Sequence, residues 1–165
     1  MYNLIEHFKS DWANESAATL KILRSLTDES LLQKVYAEGR NLGFIAWHIA
    51  NTVPEMMSQT GLSFEAFDKD APALTTVAEI VEYYAKYSAE LLERTSIWND
   101  ASLLDEISLY GETWQLGRIL TMLITHEIHH RGQMTVLMRQ AGLKVPGIYG
   151  PSKEEWESYG MPPMD

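Results

Sequence analysis

Cysteine is absent from this chain. That absence removes disulfides, thiolate metal ligands and a cysteine nucleophile together, so any metal must be held by histidine and carboxylate, and any reacting thiol must arrive as a cosubstrate. Long apolar runs are missing as well: no window approaches the roughly 18 consecutive apolar residues of a membrane span. Basic residues are scarce, with 13 Lys and Arg against 23 Asp and Glu for a net charge of −10. A surface of that sign repels phosphate backbones and disfavours nucleic acid as a partner. The N-terminal "MYNLIEHFKSDW" has neither a basic leader nor a continuous apolar segment, so it reads as the start of a helix, and a soluble cytoplasmic protein is expected.

What is present is helical periodicity in a chain of 165 residues, 45% hydrophobic and 22% charged, a length that suits one domain over 1–165. Leu4, Ile5, Phe8, Trp12, Thr19, Ile22, Leu23 and Leu26 recur at helical spacing, with Asn3 and Glu6 as a start signal. A turn or two in "DESLLQKV" precedes a second helix carrying Leu42, Ile45, Ile49, Thr52 and Met56, capped by Asn41 and kinked or ended near Pro54. Thr76 and Glu79 form a capping box for a third helix, with Val77, Ile80, Tyr84, Tyr87, Leu91 and Leu92 on its apolar face. "ISLYGETW" reads as a short irregular or extended connection to the strongest helix, Leu116 to Ala141, stopped by Gly142. No period-2 strand pattern is convincing. The expected fold is therefore an all-α four-helix bundle with long connections and an irregular, aromatic C-terminal tail that packs back on it.

Chemistry concentrates in "THEIHHRGQM", residues 125–134, which holds three of the five histidines. At about 100° per residue, His126 and His130 lie about 40° apart, facing the interior, while Glu127 and His129 fall on opposite flanks about 80° away. An i, i+4 histidine pair alone is weak grounds for a metal. His48, in the apolar setting of "GFIAWHIAN", is the obvious third donor, because a buried imidazole needs a partner. The plainer alternative is a core histidine satisfied by a carbonyl or hydroxyl. His7 and His129 read as surface or flanking residues. The segment also fits H-E-x-x-H, in which Glu127 would be a general base, but a zinc protease needs a further ligand and a substrate-binding edge strand, and neither is evident downstream.

The pairing of "NLGFIAWHIANTVPEMMSQTGL" with "MLITHEIHHRGQMTVLMRQAGL" resembles the DinB-like (YfiT-like) family of damage-inducible bacterial proteins over nearly the whole chain. The H-R-G-Q ending makes this likeness more specific than H-E-x-x-H. It implies a four-helix bundle binding one divalent transition metal, zinc or nickel, through His48, His126 and His130. The family includes bacillithiol S-transferases, which implies a low-molecular-weight thiol as cosubstrate and a small electrophile as substrate. It also implies a stress-response role and a homodimer.

Three neutral imidazoles leave such an ion open positions, the pattern of a catalytic site. Glu55, two turns beyond His48, is a candidate to orient a ligand or accept a proton. Arg131 and Gln133 are candidates to bind an anionic cosubstrate or to support the ligands. Three readings follow: a metal-dependent thiol transferase first, a metal-dependent hydrolase second, and a stress protein that binds a metal or ligand without turnover third.

Overall fold

In the computed structural model, which describes residues 1–162, the first apolar stripe forms helix α1 (Ile5–Leu23) and buries Phe8, Trp12, Ile22 and Leu23 completely. Its start differs from expectation. Asn3 and Glu6 do not cap it; the Asp100 carboxylate, distant in sequence, accepts from the Ile5 N–H at 2.9 Å. A 3₁₀ turn over Glu29–Leu32 leads to α2 (Leu42–Ser58), whose first turn is capped by Asn41 Oδ1 accepting from Phe44 N–H at 2.7 Å. Pro54 does not end this helix, which runs four residues further. Burial of Met56 and Met57 offsets the hydrogen bond that the missing N–H forfeits.

Helix α3 (Val77–Arg94) opens on the Thr76–Glu79 capping box in both directions. The last long helix, α4 (Leu116–Gln140), closes where Leu143 N–H returns to the Met138 carbonyl at 2.9 Å around Gly142. Helix α1 packs on α3 and α4, and α2 packs on the same two. The chain therefore crosses the bundle diagonally between α1 and α2 and again between α3 and α4.

A strictly all-α fold is corrected by one hairpin. Strands β1 (Glu106–Leu109) and β2 (Glu112–Gln115) pair antiparallel, Glu106 opposite Gln115 and Leu109 opposite Glu112. The two-residue turn has Tyr110 at φ 52° and Gly111 at φ 83°, the left-handed pair that suits the twist of a hairpin. Since β2 runs straight into α4, the hairpin is tied to the start of that helix. No helix among the described residues is long and apolar enough to cross a membrane.

The C-terminal tail folds back through buried Val145 and short polar ties: Glu155 accepts from the N–H groups of Gly147 and Ser152, and Glu154 pairs with Arg139. Tyr149 reaches α1 and α4 through its hydroxyl.

Candidate metal centre

His48 on α2 faces His126 and His130 on α4 across the seam between the helices. Each offers one nitrogen, and the three nitrogens lie within 4.8 Å of one another. The Nε2 atoms of His48 and His126 are 3.0 Å apart. Two imidazole nitrogens bound to one tetrahedral zinc at about 2.0–2.1 Å are separated by about 3.3 Å, so this spacing suits a shared ion.

The surroundings of the rings fit that role. His126 Nδ1 is buried and has no hydrogen-bond partner among the described residues, and the partner of the His48 ring is the His126 imidazole rather than the carbonyl or hydroxyl of the plainer alternative. Burial is the largest cause holding all three imidazoles below their usual titration range; repulsion from neighbouring histidines adds to it, as does the Arg40 charge at His48 and His130, and His126 falls to about 4. Lone pairs are thus available at neutral pH, as a metal ligand requires. His130 donates from Nδ1 to Gln133 Oε1 at 2.7 Å, and the Gln133 amide donates to His129 Nε2 at 3.1 Å. This relay fixes the His130 tautomer and leaves its Nε2 free.

The three histidines stand at the edge of the interior rather than at its centre, with His48 and His126 half-buried. The centre at this level is Glu127, 1% exposed, which helical angle alone placed on a flank of the histidine pair. It accepts from Thr19 Oγ1 at 2.7 Å and from Tyr84 OH at 2.7 and 2.9 Å. These partners belong to α1 and α3, so the carboxylate is directed away from α2 and the imidazole cluster. Burial pushes its pKa up to about 7 against the opposing hydrogen bonds and the nearby Arg131.

Arg131 is likewise committed. Its guanidinium pairs with Glu15, donates to Thr19 Oγ1 at 3.0 Å and to Tyr149 OH at 2.6 Å, and leaves the side chain 4% exposed. Glu127 and Arg131 therefore tie α4 to α1, α3 and the tail.

Glu55 is brought toward the histidines. A cavity of about 340 Å³ is bounded by His48, His126, Glu55, Tyr110, Trp114 and Met122, in the size range of small-ligand sites. Tyr110 OH donates to Glu55 Oε2 at 2.7 Å, and Gln59 holds the other oxygen at 2.9 Å. Sequence reasoning missed Tyr110 and Trp114, because the signal was the weak alternation of "EISLYGETW" around a turn lacking its usual Asn-Gly. It also missed Arg40. That guanidinium lies 4.6 Å above the Phe44 ring, which stacks on His48 at 6.1 Å, and its positive charge contributes to the lowering at His48 and His130.

A four-helix bundle with an open cluster of three histidines spanning two helices defines the class of protein. The DinB family model matches residues 1–164, and the chain belongs to the DinB family. It is 44% identical over 162 residues to the uncharacterized protein YrdA of Bacillus subtilis, covering 98% of this chain and 97% of that one. Among solved structures, a DinB-like protein from Bacillus cereus is 44% identical, with a TM-score of 0.84 over 90% of this chain and all of that one. YfiT from Bacillus subtilis, described as a probable metal-dependent hydrolase with an unusual four-helix bundle topology, shares the fold at a TM-score of 0.64 and 13% identity, over 84% of this chain and 88% of its own.

Proposed function

We propose that the chain is a metal-dependent transferase that joins a low-molecular-weight thiol of the bacillithiol kind to a small electrophile. One divalent transition metal, zinc or nickel, would be held by His48, His126 and His130. The observation that carries this reading is the convergence of three neutral imidazoles on a seam flanked by two concavities. One is the cavity shared with His48 and His126; the other adjoins Gln133, the hydrogen-bond partner of His130. Two concavities suit two organic reactants. When bound, the ion supplies Lewis acidity that favours the deprotonated, nucleophilic form of a thiol.

The chain's own residues do the rest. The apolar walls formed by Met122 and Trp114 admit the electrophile and exclude water. Glu55, oriented by Tyr110 and Gln59, accepts the thiol proton as the S–C bond forms and returns it to the departing group. Gln133 keeps His130 in one tautomer. The site chemistry would equally serve water as the nucleophile, and the description of YfiT makes a metal-dependent hydrolase the second reading. The same reading takes the protein as a cytoplasmic homodimer with a role in stress, supported by the family resemblance.

The test is turnover of 1-chloro-2,4-dinitrobenzene and of simple ester substrates by the zinc- and nickel-loaded protein, with and without added bacillithiol or cysteine. Product that forms only with thiol supports the transferase. Product that forms without it supports the hydrolase.

A further inference from the structure

We propose that the concavity between the 33–40 connection and α4 binds an anionic small molecule, with Arg40 as the anchor for its carboxylate or phosphate group. The hollow measures about 410 Å³ and is walled by Val35, Tyr36, Val136 and Leu137, with Arg40 and Gln133 as its charged and amide side chains. Val35, Tyr36 and Val136 are each more than half exposed, an apolar surface that the body of a ligand would cover.

Arg40 is set up for an anion. Arg94, Arg131 and Arg139 each hold a glutamate, but among the described residues no carboxylate lies within ion-pair distance of Arg40, in a chain carrying a net charge of −10. Its guanidinium carbon lies 4.6 Å from the centroid of the Phe44 ring. That contact restrains the fork, and no hydrogen bond among the described residues claims its N–H groups, which suit a carboxylate or phosphate held by two parallel hydrogen bonds. Gln133 forms part of the same wall and is the residue that accepts from His130, so an occupant sits one side chain away from the histidine cluster. The charged handle and the apolar wall together select an amphiphilic anion. Its meaning for catalysis rests on the reading that this hollow takes the second reactant.

The test is calorimetric titration of 4-phenylbutyrate and uncharged 4-phenylbutanol into zinc-loaded wild type, Arg40→Gln and Arg40→Lys, repeated on zinc-free protein. Wild type should favour the carboxylate by roughly tenfold, with the preference shrinking as salt rises. Arg40→Gln should reduce it to within about twofold while leaving alcohol affinity and zinc content unchanged, and Arg40→Lys should restore part of it. A preference that survives Arg40→Gln and disappears on zinc removal would put the carboxylate on the metal and overturn the assignment. So would failure of both probes to bind. An Arg40-dependent preference with no thiol transfer would uphold the anion site and sink the transferase; thiol transfer with no such preference would do the reverse.

Discussion

Glu127→Gln is the most informative single substitution for the interior of this bundle. The carboxyl is 1% exposed, surrounded by Thr19, Tyr84 and Arg131, and its pKa is raised from an ordinary 4.5 to about 7. A raised folded-state pKa means that the native protein keeps a proton which the unfolded chain has released. Stability from this group is therefore full below about pH 4.5 and is lost as pH rises through about 7. At about 1.36 kcal/mol per unit of pKa, the displacement is worth about 3 kcal/mol, of which about 2.5 kcal/mol falls between pH 5 and 8. Glutamine keeps the shape and most of the hydrogen bonds and cannot ionise.

The assay is urea unfolding of chelator-treated wild type and variant at pH 5, 6, 7 and 8. The depressed histidines act with the opposite sign, their stabilising effect being lost as pH falls from about 6.5, but they are common to both proteins and cancel in the difference. The variant should gain about 2.5 kcal/mol on wild type across that range. Parallel curves would refute the reasoning and mean that Arg131 keeps the carboxylate ionised throughout.

Arg131→Met should cost about 3 kcal/mol by leaving the Glu15 carboxylate without its cation, with the Tyr149 hydroxyl still donating to it, and should speed tryptic cleavage in the tail once Tyr149 loses one of its two partners; a loss below about 1 kcal/mol would contradict the assigned role. Gln133→Ala should weaken zinc binding about 10- to 100-fold in a chelator competition by freeing the His130 tautomer, whereas an unchanged affinity would show that the relay is idle. Because burial holds His126 at about 4 and lowers His48 and His130, protons should displace the ion only well below pH 6.5. Stepwise dialysis with metal analysis checks this, and release already complete at pH 6.5 would speak against it.

The long helices were legible because their apolar faces repeat at 3.6 residues, and two of their starts were legible because Asn41 and Thr76 use local side-chain chemistry. The start of α1 was not, since its cap comes from Asp100, 95 residues away. Pro54 lies inside α2 rather than at its end because burial on both sides of it outweighs the local backbone preference. At the site, the convergence of His48, His126 and His130 was readable from one i, i+4 pair and one isolated imidazole. The role of Glu127 was not, because helical angle alone gives its direction without saying which neighbour lies there. Thr19 and Tyr84, polar groups on two buried stripes, were the signal that a carboxyl sat between them.

The central claim is an open site for one metal built from three histidines on two helices. The direct measurement is elemental analysis of untagged protein, wild type beside His48→Ala, His126→Ala and His130→Ala, with His129→Ala as control. About one divalent ion per chain in wild type and control, lost in the other three variants, is the predicted result. Equal metal in all five proteins, or none in any of them after incubation with zinc or nickel, would contradict the account.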